Sequence, residues 1–396
     1  MRLGNIADVQ VGFAFKSNAY LTGSEGPRLV RGDNIGHGRL RWGEGTTFRW
    51  GDDLNDGRFQ LREGDVVVGM DRPWIASGIK WARVRELDLP ALLVQRVARI
   101  RAIDPQLQRF LGIAIPSPDF ADHVLAVQTG TSIPHVSGAQ IAAFRLPKRT
   151  LAEMSSIASV LGALDDKIEA NRSVTAKCLQ LIEAQFDAFE KSQDELTYGD
   201  VADISGGGTP STKVDSNWGG DFAWATPTDV TGLSAPYLSR TGRSITAAGL
   251  ANCSSALHPL DSILMTSRAT IGAFALAKVP TAVNQGFIVV NAKRPQWTPW
   301  LLSEMQSRVG DYIANANGAT FLELSRVRFK QMTVSWPKSE SDLTRFGDQA
   351  QLLHARAYAS VLESDNLARL RDTLLPHLMS GRLTVREAEK RVEEVL

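Results

Sequence analysis

The chain has 396 residues, too many for one ordinary core and enough for two domains of about 100–200 residues each. Hydrophobic residues make up 43% and charged residues 22%, the balance of a globular protein in water, and no apolar run reaches the ~18 residues of a membrane span. Two cysteines, Cys178 and Cys253, and six scattered histidines exclude a disulfide framework and show no metal-ligand spacing. Met1-Arg2-Leu3-Gly4-Asn5 opens without the features of a secretory leader, so a reducing cytoplasm is the expected compartment.

The formal net charge of +1 is unevenly spread. Residues 1–150 hold 20 basic against 15 acidic side chains, and 17 of the 20 are arginine, whose planar fork suits phosphates and guanine edges. Residues 151–192 are acidic, 4 against 7, and the rest is close to balanced. No polybasic run of a histone-like binder occurs.

In chain order, residues 1–150 carry short β-like runs, Val66-Val67-Val68 and Arg96-Val97-Ala98-Arg99-Ile100 among them, separated by Gly, Pro and Asn/Asp turns. A helix is predicted over 157–189. Ile157, Leu161, Leu164, Ile168, Cys178, Ile182 and Phe189 recur at steps of three and four, with Asn171, Thr175 and Gln185 between them. At ~1.5 Å per residue it would run roughly 50 Å. A hairpin inside one domain would show the same periodicity. The narrow stripe favours a coiled-coil seam between domains, with Asn171 setting register.

Residues 193–340 return to β-like runs such as Phe287-Ile288-Val289-Val290. Near their start stands Gly206-Gly207-Gly208-Thr209-Pro210-Ser211-Thr212-Lys213, which superficially suggests a phosphate loop. The spacing G-x-x-x-x-G-K-[ST] is absent and Pro210 removes a donor, so a Gly-Pro turn is the better reading. A second helix, from about 344 to 378, carries Leu353, Ala357, Val361, Ala368, Leu375 and Leu378 in a weaker register.

The chain repeats itself. Leu3-Gly4-Asn5-Ile6-Ala7-Asp8 returns as Tyr198-Gly199-Asp200-Val201-Ala202-Asp203, and Val30–Ile35 aligns with Ala225–Val230. Gly64–Arg72 is echoed by Leu260–Arg268, with Arg72 over Arg268. Leu93-Val94-Gln95 corresponds to Val283-Asn284-Gln285, and Gly130–Ser137 to Gly318–Ser325. The five pairs keep their order while the offset drifts from 195 to 188, as loop insertions and deletions would cause.

Catalytic constellations are missing: there is no G-x-S-x-G elbow, no H-E-x-x-H, and no acidic-Pro-Pro-aromatic tetrapeptide. His135 has Glu323 as its counterpart in the second copy, so a turn histidine is the better reading. Duplication and long helices without a catalytic set point to binding.

Three stretches then carry a resemblance. Gly-Gly-Thr-Pro-Ser followed by Asn-Trp-Gly-Gly and Trp-Ala-Thr-Pro-Thr-Asp-Val resembles the opening of a target recognition domain; Gly130–Ser137 resembles its close, and Leu374–Leu383 the end of the chain, in specificity subunits of type I restriction-modification enzymes. The resemblance implies an α+β architecture: two pseudo-repeated mixed α/β target recognition domains, 1–150 and 193–340, separated by an antiparallel helix pair from 151–192 and 341–396. Each domain would read one half of a bipartite double-stranded DNA site, and helix length would set the gap. Two methyltransferase subunits would dock on the helices and restriction-translocase subunits on those. S-adenosylmethionine, ATP and Mg would belong to the partners, with no cofactor, metal or catalytic residue on this chain.

The paired segments supply the expected DNA contacts: Arg72, Trp74, Lys80, Gln95, Arg96 and Thr131 in the first domain, and Thr209, Ser211, Arg268, Thr270 and Gln285 in the second. Gln95 and Gln285 carry amides that can pair bidentately with adenine. An arginine tied to a local carboxylate, or a glutamine capping a strand, is the plainer role for each. The helix-pair interface is assigned to Ile157, Leu161, Leu164, Ile168, Asn171, Ile182, Phe189, Leu353, Val361 and Leu375. A two-domain scaffold or carbohydrate-binding protein, with its tryptophans as sugar platforms, is the alternative from another class.

Overall fold

The computed structural model describes every residue of the chain except 44, 52–56, 76, 77, 131, 193, 194, 319–321 and 396. The expected DNA contact Thr131 therefore lies outside the described residues. Two compact units form, Met1–Ile168 with Asp365–Leu396, and Glu169–Ser364. Each long helix contributes to both of them.

The first unit is built on a five-stranded sheet in the order Ala7–Val11, Val97–Ala102, Val66–Gly69, Trp81–Arg83, His37–Gly38. Its first three pairings are antiparallel and its last is parallel. Val66 and Val68 enter one core and Val67 another, so this strand is apolar throughout because both faces of its sheet are covered. A smaller sheet pairs Arg28–Val30 in parallel with Ala91–Leu93.

The second unit repeats this plan. Ala202–Ser205, Phe287–Ala292, Ile263–Thr266, Phe274–Ala277 and Tyr237–Leu238 pair in the same order and with the same directions. Trp218–Ala225 pairs in parallel with Thr281–Val283. Val30 opposes Leu93 in one unit and Ala225 opposes Val283 in the other, at the offsets of the sequence repeat. Ile263 and Met265 face one core while Leu264 faces another.

The register corrects the sequence alignment by one residue where the loops begin. Gly69 opposes Val97, and Thr266 opposes Phe287. Asp71 therefore corresponds to Arg268, and Arg72 to Ala269. Arg72 and Ala269 share a left-handed backbone, at φ 43° and 59°.

The long helices are Leu151–Ala188 and Glu340–Ser380. In the first unit, Ile157, Leu161, Leu164, Ile168 and Leu375 are buried with Leu367, Leu374 and Leu378, in one core with Phe110 and Phe120 of the domain. In the second, Ile182 packs with Phe186, Trp300 and Phe346, while Leu353 and Val361 are partly buried. The apolar stripe thus faces domain cores as well as a partner helix, wider duty than a free-standing seam. Phe189 sits just past the helix end, packed against that aromatic cluster. Asn171 is 2% exposed and donates to Glu363 at 2.8 Å. Arg371 reaches Asp165 at 2.7 Å.

The Leu374–Leu383 stretch ends the second helix. Gly381 takes φ 79°, Leu383 N–H returns to the His377 carbonyl, and Arg149 donates to the Leu378 and Met379 carbonyls.

Candidate nucleic-acid interface

The triglycine stretch is explained by close packing. A Cβ on Gly207 would stand 1.8 Å from the Val283 carbonyl oxygen, and one on Gly208 2.2 Å from the Ser254 hydroxyl. Gly208 N–H donates to the Val283 carbonyl, and its own carbonyl accepts from the Trp224 indole at 3.1 Å. Gly12 repeats the approach in the first unit, with a Cβ 2.2 Å from the Val94 carbonyl, and Phe13 N–H donates to Leu93 as Gly208 does to Val283. The chain here lies directly on a strand, and the Gly208 N–H is spent on that strand instead of on a phosphate.

That packing delivers Thr209 to the edge of a concavity of about 350 Å³. Arg268, Thr270 and Gln285 line it with Thr228, Thr231 and Asn284. The Thr209 hydroxyl donates to the Gln285 amide oxygen at 2.7 Å, and both side chains are exposed. Four of the five expected second-unit contacts therefore meet at one place. Ser211 is exposed on the turn beyond, where its carbonyl accepts from Asn217 and from the Trp218 indole.

Three loops build this concavity: the one after Ile263–Thr266, the one before Phe287–Ala292, and the turn opening Pro227–Thr231. Thr226 caps that turn through Asp229, and the Asn284 backbone N–H donates to the Ala225 carbonyl, which locks two of the loops together. Arg268 forms an ion pair with Glu323, Nε to Oε1 at 2.8 Å.

The matching loops of the first unit bring Arg72, Gln95 and Arg96 together. Arg96 donates through Nη1 to Asp71 at 2.5 Å, and His135 Nδ1 meets the other oxygen of that carboxylate at 2.5 Å. Burial raises the Asp71 pKa, but the bonds from His135 and Arg96 outweigh it and hold the carboxyl below its usual range. The Arg72 amide donates to the Pro134 carbonyl, and its exposed side chain has no partner among the described residues. The Gln95 backbone N–H donates to the Phe13 carbonyl. Trp74 and Lys80 lie on the hairpin beyond, half-buried; Trp74 packs on the core and Lys80 covers Gly69. Arg72, Arg96 and Ala269 are three of the four non-glycine residues with positive φ among the described ones, a strain that accumulates where loops are held for a purpose.

Residues 191–351 match the family of the type I restriction modification DNA specificity domain. That segment is similar to such a specificity domain. The chain is 34% identical over 160 residues to the specificity subunit of the type I restriction enzyme MjaIX of Methanocaldococcus jannaschii, covering 40% of this chain and 37% of that one. It is also 34% identical over 167 residues to the EcoAI specificity subunit of Escherichia coli, covering 41% and 27%. The chain thus spans well under half the length of these curated relatives. The type I restriction-modification S subunit from M. genitalium shares the fold across 96% of this chain and 95% of its own, with a TM-score of 0.56 at 14% identity.

The matched segment contains the whole concavity of Arg268, Thr270 and Gln285, and the first unit reproduces its sheet order. The tryptophans of its signature are structural: Trp224 is 3% exposed, and Trp218 lies against it, 5.0 Å between ring centroids, beneath the Arg243 guanidinium. A sugar platform needs open indole faces, which these two do not offer. Asp71, His135 and Glu323 were not among the expected contacts. The exchange of His135 for Glu323 is legible in the sequence repeat, whereas that of Asp71 for Arg268 becomes legible only once the alignment is shifted by one residue. Among the described residues no helix is long and apolar enough to cross a membrane, and no cluster has the makings of a metal site.

Proposed function

We propose that this chain is the sequence-reading, non-catalytic subunit of a type I restriction-modification complex in the cytoplasm. Residues 1–150 and 193–340 would each read one half of a bipartite double-stranded DNA site. The helices of 151–192 and 341–396 would set the gap and dock two methyltransferase subunits, which in turn carry the restriction-translocase subunits. S-adenosylmethionine, ATP and Mg would be bound by those partners.

The observation that carries this reading is the duplicated loop cluster. Each unit exposes arginine and glutamine side chains on loops fixed by backbone hydrogen bonds, a fit to base edges rather than to a phosphate field. The near-neutral charge agrees with specificity resting on a few base contacts.

The test is methylome sequencing in a host lacking its own systems, with the chain co-expressed with its cognate methyltransferase. The expected result is N6-methyladenine at a split motif with a fixed gap. A folded, partner-bound chain that yields no such motif sinks the proposal.

A further inference from the structure

The two loop clusters share a backbone but exchange their charges. Asp71 forms a β-bridge with His135, and Arg268 forms the corresponding bridge with Glu323. Val136 N–H reaches the Met70 carbonyl just as Leu324 N–H reaches that of Ser267. The strand-end position is thus acidic in the first unit and basic in the second, and its bridge partner changes from histidine to glutamate. A third position changes with them. Arg96 immediately precedes the strand residue Val97, and Gly286 holds the equivalent place before Phe287. A Cβ at Gly286 would stand 2.8 Å from the Pro227 ring and 3.0 Å from Asn284 Oδ1, so an arginine could not occupy that place without movement.

Each loop cluster therefore sets an exposed guanidinium against a carboxylate, but on opposite loops. Arg96 is 66% exposed and rests on Asp71; Arg268 is 44% exposed and rests on Glu323. Each carboxylate engages one side of the fork: Nη1 of Arg96, and Nε of Arg268. A guanidinium has five N–H donors, so with one facing the carboxylate four remain, enough for a bidentate contact.

We propose that Asp71 and Glu323 are positioning residues that aim Arg96 and Arg268 at the O6/N7 edge of a guanine, one in each half-site, so that the two units read guanine from non-equivalent loops. This rests on the DNA-reading function proposed above. Arg72 and its counterpart Ala269 stand outside the arrangement. With no carboxylate among the described residues to orient it, Arg72 makes a sequence-independent phosphate contact.

The test compares methylation motifs written by the full complex carrying Arg268→Ala, Glu323→Gln, Arg96→Ala, Asp71→Asn or Arg72→Ala, with the thermal midpoint of each variant as the check on folding. Absence of any motif with the natural chain would remove the DNA-reading function itself, a separate failure. Given a motif, Arg268→Ala should relax one G·C position of a single half-site by about 10- to 100-fold. Glu323→Gln should relax the same position by about 2- to 10-fold, with Glu323→Asp largely restoring it. Arg96→Ala and Asp71→Asn should form the same series in the other half-site, and Arg72→Ala should lower methylation without altering the motif. The proposal is overturned if a folded Glu323→Gln complex writes an unchanged motif while Arg268→Ala relaxes it. It is equally overturned if the position relaxed by Arg268→Ala is not a G·C pair, or if Arg268→Ala changes only the amount of methylation.

Discussion

At matched positions beneath the two large sheets, the first unit buries Leu3, Ala114 and Val124, and the second buries Tyr198, Glu304 and Tyr312. The Tyr198 hydroxyl donates to the Glu304 carboxylate and meets the Tyr312 hydroxyl. The other Glu304 oxygen accepts from Arg308 at 3.2 Å and from the Ser335 amide at 3.0 Å. Burial pushes Glu304 upward, against the pull of these donors, and pushes both tyrosines up as well. One fold thus accepts an oily plug or a polar network at the same place, provided the network leaves no buried end unpaired. The helix pair shows a similar contrast. Its first-unit half buries Ile157, Leu161, Leu164 and Leu374, whereas its second-unit half buries the polar Asn171, Thr175, His354 and Ser360 alongside Ile182, Phe186 and Phe346.

Breaking the network gives the largest effect. Glu304→Ala strips an acceptor from Tyr198, Arg308 and the Ser335 amide, and should cost the second unit about 3–5 kcal/mol in urea unfolding. The reverse change, Ala114→Glu, buries a carboxylate with no donors and should destabilise the first unit comparably. If both are tolerated within about 1 kcal/mol, the two interiors do not differ in the way described.

The next effect sharpens the comparison by pH. His354 is hydrogen-bonded to Tyr237 at 2.9 Å; burial, and then the Lys278 charge, push its imidazole down to about 4. The folded unit holds the neutral form, so its contribution is full above the ordinary histidine pKa and is lost as pH falls from about 6.5 towards 4. That loss amounts to about 3 kcal/mol. No histidine of the first unit is buried among the described residues, so its transition should lack this component. Urea midpoints at pH 7 and pH 4.5 for the natural chain and His354→Gln measure it; an identical slope in both would exclude His354 as the cause.

The smallest change concerns the seam. Asn171→Leu removes the bond to Glu363 and should raise the stability of the second unit by about 1 kcal/mol while loosening helix register. A clear loss of stability would make Asn171 a net contributor instead of a register device.

Local physics made much of this legible. Val66-Val67-Val68 and Phe287–Val290 read as strands because both faces are covered, and steps of three and four marked the long helices. His354, Ser360 and Leu367 of the second helix escaped notice because histidine and serine do not announce burial, and because the neighbouring Leu353 and Val361 suggested a stripe shifted by about one residue.

The sequence alone determined the duplication, the strand and helix content, and a family likeness, because hydrophobic periodicity and turn residues act within a few positions of themselves. Only the tertiary structure decided which charges meet. Asp71 and His135 are 64 positions apart, and Arg268 finds Glu323 across 55 more residues of chain. Such pairings depend on register and loop closure, where a shift of one residue exchanges an arginine for an aspartate.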